Sequence, residues 1–125
     1  MAGTFGPTAT KQILASPEKR GEINRWGKKT LDLILEEPTV ENFLRRSLEF
    51  AERTGFATPN TRKLVKLVEQ AGAIGAAQNM VGEAVHAVTT EKNAESLVKA
   101  FEEVLPSQKI LTARIDFQGA RLIKT

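Results

Sequence analysis

Residues 70–88 read QAGAIGAAQNMVGEAVHAV, and they contain the change in periodicity that decides the fold. Upstream of this stretch, apolar residues recur every three or four positions, which is typical of one face of a helix. Within it, Ala84–Val88 alternates with the two-residue period of a strand. Gly82-Glu83 suits a two-residue hairpin loop with glycine first, so residues 76–81 are predicted to pair with residues 84–89.

The sequence before the hairpin predicts three helices. Side chains that can cap a helix mark their starts, and proline follows two of them: Ser16-Pro17, Thr39 and Thr58-Pro59. Proline or glycine marks their ends: Pro38, Gly55 and Gly72. Apolar residues at helical spacing give each helix one inner face, for example Leu64, Leu67 and Val68 in the third.

A fourth helix and further strands follow the hairpin. Residues 93–105 have helical periodicity and precede Pro106. Residues 110–117 alternate as in a strand, and residues 120–123 could form a last short one. This order of elements predicts an α+β fold in which an antiparallel sheet packs against helices. We expect residues 1–125 to form a single domain.

The composition excludes several classes of function. The chain has 41% hydrophobic and 26% charged residues, no cysteine and one histidine, His86. Thiol catalysis, iron–sulfur clusters and His-rich metal sites are therefore excluded, and no metal ligand is predicted. The net charge of +3 is spread along the chain without a basic run, which argues against nucleic acid as a partner. No apolar run is long enough to span a membrane and no signal peptide is recognisable, so no membrane association and a cytoplasmic location are expected.

The small residues at 70–80 are the first candidate for a binding site. Glycine and alanine allow backbone N–H groups to approach a ligand closely, as in phosphate-binding loops. The same residues suit the tight packing of a helix end on a strand, and phosphate-binding loops normally follow a strand rather than a helix. On spacing alone the packing interpretation is favoured, although the amides of Gln78 and Asn79 could bind a polar ligand.

Two polar features in the strands are further candidates. His86 lies among apolar residues, a position more typical of a hydrogen-bonded structural residue than of a catalytic base. Arg114, Asp116 and Arg121 cluster around a Gln118-Gly119 bend, where they could bind a carboxylate or pair with one another. No nucleophile–base pair and no Walker-type loop is present, so no catalytic residue is assigned.

Four segments carry a resemblance to a known family. They are GPTATK at 6–11, EFAERTG at 49–55, GAIGAAQNMVGEAV at 72–85 and DFQGAR at 116–121. Together they resemble archaeal pantoate kinases, members of the GHMP small-molecule kinase superfamily. The resemblance covers nearly the whole chain and implies the C-terminal domain of a two-domain enzyme, an antiparallel sheet backed by helices in a ferredoxin-like layout.

The resemblance also implies a function and a site. Such enzymes phosphorylate pantoate with ATP in coenzyme A biosynthesis, and their N-terminal domain supplies most contacts to ATP and Mg²⁺. The resemblance therefore implies that this chain has no cofactor of its own, is inactive alone, and contributes the acceptor side of the active-site cleft. The implied substrate-binding residues are Gly72, Gly75, Ala76, Gln78, Asn79 and Arg121.

The expected partners follow from the same resemblance. They are pantoate and an N-terminal kinase domain, either in the same chain or as a separate subunit. The face that meets this domain is expected near the hairpin and the small-residue loop and to be partly apolar, so that the chain could also self-associate. The alternative function is a ligand-binding or regulatory α+β module without catalysis.

Overall fold

Three hydroxyl side chains begin the three long helices. In the computed structural model, which describes residues 1–124, Ser16, Thr39 and Thr58 each accept the backbone N–H of the residue three positions on. These caps satisfy N–H groups that have no partner within the helix, as the sequence predicts. The helices are α1 (Thr10–Leu14), α2 (Pro17–Glu36), α3 (Val40–Arg53), α4 (Pro59–Gln70) and α5 (Ala94–Glu102), with single 3₁₀ turns at Glu91–Asn93 and Ser107–Lys109.

Four short strands form one antiparallel sheet. They are β1 (Ala2–Thr4), β2 (Gly75–Gln78), β3 (Ala84–Val88) and β4 (Ile110–Leu111), in the order β2-β3-β1-β4. The described residues therefore confirm the predicted α+β architecture, an antiparallel sheet packed against helices.

One face of the sheet forms the main core with α4 and α5. Val85 and Ala87 on β3 point to this side, where they join Leu64 of α4 and Phe101 of α5. All four residues are at most 1% exposed. A side chain at position 3 would not fit, because a Cβ added to Gly3 would lie 2.7 Å from Phe101.

The other face of the sheet is covered only in part. Helix α3 packs on β2, where Ala77 is fully buried. Helix α2 lies outside α3 and has no buried residue along its 20 residues. His86 pairs with Ala77 across the ladder on the same face and is only partly buried.

The predicted hairpin is present, but its loop is longer than the predicted two residues. Gln78 pairs with Val85, and the N–H of Asn79 donates to the carbonyl of Ala84, so five residues (79–83) separate the strands instead of two. Met80 takes a positive φ of 48° in this loop. The pairing is shifted by two positions from the predicted one, and each side chain stays on its predicted face because strand periodicity is two.

The predicted strand at 110–117 is mostly wrong, and so is the one at 120–123. Only Ile110–Leu111 is a strand, and its two residues pair with Gly3 and Ala2 of β1. Residues 112–124 have no regular structure, and Phe117 and Leu122 are 93% and 98% exposed. An alternating sequence does not form a strand without a partner strand.

The remaining predictions for the helices are confirmed. The fourth predicted helix corresponds to a 3₁₀ turn followed by α5, and Gly55 and Gly72 take φ of 75° and 100° after α3 and α4. The short helix α1 was not predicted, since it has no side-chain cap and no buried residue. Within residues 1–124, no helix is both long enough and apolar enough to cross a membrane.

Candidate functional site

An open groove of about 640 Å³ lies between α2, α3 and the end of the β2–β3 hairpin. Its walls are mainly apolar: Ile23, Leu31 and Ile34 from α2, Phe43 and Phe50 from α3, and Met80 from the hairpin loop. The polar groups that reach it include Asn24, Lys28, Thr30, Ser47, Asn79 and His86. A concave apolar surface with a few polar groups is the usual form of a small-molecule site.

The polar groups of the hairpin are held in place by a contact between two side chains. Asn79 Oδ1 is in hydrogen-bond contact with His86 Nδ1. The backbone fixes Asn79 as well, because its N–H donates to the carbonyl of Ala84 at 2.8 Å. This contact joins the residue after the end of β2 to the middle residue of β3, and both side chains line the groove.

The groove carries cationic and neutral groups but no carboxylate among its lining residues. Lys28 Nζ lies 2.9 Å from Asp32 Oδ2, an exposed ion pair at the rim. Burial lowers the pKa of His86, and the positive charge of the Met1 amino group lowers it further. Both effects favour the neutral imidazole in the folded chain.

Gly75 and Ala76 do not lie in this groove. They line a separate cavity of about 330 Å³ near the start of α3, together with Asn42 and Arg45. An added Cβ on Gly75 would lie 2.9 Å from Leu44, and Ala76 is 2% exposed in the main core. These contacts support the packing interpretation of the small residues.

Gln78 is 4% exposed and reaches the groove only at its edge. Its Nε2 donates to the carbonyl of Phe56 at 2.8 Å, and its Oε1 accepts from the hydroxyl of Thr61 at 2.7 Å. Both ends of the amide are thus used to join β2 to the start of α4. This arrangement satisfies a buried polar side chain within the protein.

Gly72 and Arg121 lie away from both cavities. Gly72 ends α4, and its carbonyl accepts hydrogen bonds from Thr89 and Asn93. Arg121 binds Asp116 in the exposed C-terminal segment. The backbone N–H of Gln118 and then Arg121 hold the pKa of Asp116 below its usual value.

Arg114, the third residue of the predicted cluster with Asp116 and Arg121, pairs with a different residue. It forms an ion pair of 3.1 Å with Glu91, and both side chains are about nine-tenths exposed. Pairing within the chain, one of the two interpretations of this cluster, is thus observed for Asp116 and Arg121. Among the six predicted substrate-binding residues, only Gln78 and Asn79 line the groove between α2, α3 and the hairpin.

Two structural roles were not predicted from the sequence. The first is that of α2, whose apolar stripe forms a wall of the groove. The second is that of Asn42, which lines the smaller cavity, is 2% exposed and donates to the carbonyls of Leu33 and Glu37 at 3.0 and 2.8 Å. The signal available in the sequence was an asparagine in the first turn of α3, shortly after Pro38.

Within residues 1–124, no three His, Cys, Asp or Glu side chains are placed together as a metal-binding group.

The sequence is similar to that of pantoate kinase from Methanocaldococcus jannaschii, with 32% identity over 92 residues. These residues are 73% of this chain and 33% of the relative. The fold is similar to that of a solved phosphotransferase related to the CoA biosynthesis pathway, with a TM-score of 0.67, 18% identity, and coverage of 82% of this chain and 32% of that one. No family model matches the sequence.

These comparisons confirm the resemblance inferred from the four sequence segments. The chain is homologous to part of pantoate kinase and spans about a third of the length of the relatives it matches.

Proposed function

We propose that this chain, a homologue of part of pantoate kinase, forms the acceptor side of the active-site cleft of an ATP-dependent small-molecule kinase. The acceptor we propose is pantoate, and the reaction is ATP + pantoate → ADP + 4-phosphopantoate in the cytoplasm. The observation that carries the proposal is the 32% identity to pantoate kinase over 92 residues. The groove between α2, α3 and the hairpin is the proposed acceptor site.

The chemistry of the groove suits this acceptor. Pantoate has a carboxylate, two hydroxyls and a carbon that bears two methyl groups. The apolar walls formed by Leu31 and Phe43 suit the methyl groups, and Lys28 can attract the carboxylate. Asn79 and His86 supply hydrogen-bonding groups for a hydroxyl.

The chain alone lacks what phosphoryl transfer requires. The transfer breaks the bond between the γ-phosphorus and the β–γ bridging oxygen and joins that phosphorus to the acceptor hydroxyl oxygen, which gives up its proton. Positive groups around the γ-phosphate accelerate this step. In this proposal the rest of the kinase supplies them and the groove holds the acceptor, so the 125-residue chain should turn over ATP negligibly with pantoate.

The rim of the groove is the proposed contact with the rest of the kinase. Leu31 is 55% exposed, Phe43 is 47% exposed and Met80 is 67% exposed, although all three are large and apolar. Exposed apolar residues that cluster around a groove mark contact surfaces more often than isolated ones do. The partner can be part of the same polypeptide or a separate subunit.

A chimaeric enzyme tests the proposal. The matched third of the M. jannaschii pantoate kinase is replaced by this chain, and formation of ADP is measured with ATP, Mg²⁺ and pantoate. We expect pantoate-dependent turnover by the chimaera at least about 100-fold above that of this chain alone, a difference in barrier of about 2.7 kcal/mol.

Two controls make the result interpretable. The relative without its matched third should be inactive, which shows that the replaced part is needed. A chimaera with Leu31→Glu, which places a charge on the groove wall, should lose activity, whereas Lys63→Glu on the exposed face of α4 should not. A folded chimaera without pantoate-dependent turnover would contradict the proposal and favour a binding module.

A further inference from the structure

His86 points into the groove although its two neighbours point into the core. Val85 and Ala87 are 0% and 1% exposed on the α4–α5 side of the sheet. Because side chains alternate along a strand, His86 lies on the opposite face, where it is half-buried and lines the groove. It is the only histidine of the chain.

Asn79 decides which nitrogen of His86 carries the proton. Its Oδ1 faces His86 Nδ1, and an amide oxygen can only accept a hydrogen bond. In the neutral imidazole Nδ1 is therefore the donor, and Nε2 keeps a free lone pair. Asn79 thus occupies Nδ1 of the ring, and Nε2 remains available to a ligand.

The other titratable residue of the groove cannot play this part. Lys28 is paired with Asp32 and is a donor without a lone pair when charged. Among the residues that line the groove, His86 is thus the titratable one whose side chain can accept a hydrogen bond from a ligand.

We propose that His86 is a substrate-binding residue whose Nε2 accepts a hydrogen bond from a hydroxyl of the acceptor, and that Asn79 is its positioning residue. This inference rests on the proposed function, because the acceptor is a hydroxy acid there. It goes further by assigning a hydroxyl contact to His86, a residue for which the sequence favours a structural role. A ligand with the same apolar carbons and carboxylate but no hydroxyl should not engage Nε2.

The tautomer and the contact are both visible by ¹⁵N NMR of the 125-residue chain, since the single histidine gives unambiguous ring signals. We expect a protonated Nδ1 and an unprotonated Nε2 in the free chain. Addition of pantoate should shift the Nε2 resonance, whereas 3,3-dimethylbutanoate, which has the same methyl groups and carboxylate, should not shift it. A protonated Nε2 in the free chain, or no response to millimolar pantoate, would overturn the inference.

Two variants separate the ring nitrogens. His86→Asn keeps a donor toward Asn79 but removes Nε2, and Asn79→Ala keeps Nε2 but frees the ring. In the chimaera, His86→Asn should raise KM for pantoate about tenfold, the effect of losing one hydrogen bond. Asn79→Ala should raise KM by a smaller factor and give a mixture of tautomers in the NMR spectrum.

The outcomes distinguish this inference from the function on which it rests. An active chimaera whose KM for pantoate is unchanged by His86→Asn overturns the inference and leaves the proposed function intact. An inactive chimaera with a pantoate-dependent Nε2 shift overturns catalysis but supports the contact. Absence of both signals overturns both.

Discussion

Gly75 lies directly against Leu44, where the first strand of the hairpin passes beneath α3. A Cβ built on Gly75 would lie 2.9 Å from both Cβ and Cδ1 of Leu44, which is itself 1% exposed. The absence of a side chain at Gly75 therefore sets how closely α3 approaches β2.

Gly75→Ala should lower the free energy of unfolding by about 1–3 kcal/mol, since the added methyl group overpacks the contact with Leu44. The measurement is urea unfolding monitored by circular dichroism. Gly21→Ala in α2 is the matched control, because no atom lies within 4 Å of its Cβ and alanine favours a helix by about 0.5–1 kcal/mol. A Gly75→Ala chimaera with normal stability but lost turnover would instead place Gly75 in a ligand-binding loop.

Gln78→Leu should destabilise the protein by about 1–3 kcal/mol, because it leaves the buried carbonyl of Phe56 without its donor and removes the nearer of the two acceptors of the Thr61 hydroxyl. Thermal unfolding measures the effect. The exposed Gln108→Leu should change stability by no more than about 0.5 kcal/mol. Equal effects of the two substitutions would show that the amide of Gln78 is not a structural tie.

Asn42→Ala should weaken the junction of α2 and α3 by about 1–2 kcal/mol, since the carbonyls of Leu33 and Glu37 lose a buried donor. Trp26, the only tryptophan, has Arg53 of α3 5.2 Å from its ring and is a suitable fluorescent probe of this junction. The exposed Asn60→Ala serves as the control. An unchanged unfolding midpoint for Asn42→Ala would contradict the prediction.

Stability should fall as the pH drops below about 6.5, because burial lowers the pKa of His86 from that ordinary value and the charge of Met1 lowers it further. In that range the unfolded chain binds more protons than the folded one, so the unfolding free energy rises with pH. Besides His86, Lys28 is the residue lining the groove that can carry a positive charge. His86→Asn should remove this dependence between pH 6.5 and the lowered pKa in thermal unfolding experiments.

The carboxylates of Glu52 and Asp116 provide an internal control for this pH dependence of stability. The hydrogen bond from Arg62 lowers the pKa of Glu52, and the backbone N–H of Gln118 followed by Arg121 lowers that of Asp116. Their contributions are lost only as the pH falls below the ordinary carboxylate values of about 4. This acidic loss should persist in His86→Asn, and a wild-type protein whose stability is constant from pH 7 to 5 would refute the prediction for His86.

The isolated chain should self-associate through the rim of the groove, where Met80 is 67% exposed. Light scattering over a wide range of concentrations should show a rising average mass. Met80→Lys should reduce the rise because it places a charge on the apolar rim, whereas Leu122→Lys, in the exposed C-terminal segment, should reduce it less. A strict monomer at every concentration would argue against an apolar contact surface at this position.

Local signals in the sequence were sufficient for the helices. Ser16, Thr39 and Thr58 cap them, and Gly55 and Gly72 end two of them with positive φ, because capping and left-handed conformations depend on the residue and its immediate neighbours. Homology to part of pantoate kinase could also be inferred from the sequence, since its four segments need no coordinates to be recognised.

Features that depend on distant partners required the tertiary structure. The alternation at 110–117 predicts a strand, but only Ile110 and Leu111 pair with β1 and the rest has no partner strand. The groove likewise depends on how α2 lies outside α3, and the contact of Asn79 with His86 depends on a hairpin register that turn residues alone did not determine. The sequence by itself thus determined the helices and the family resemblance, whereas packing between segments far apart in the chain decided the sheet and the candidate site.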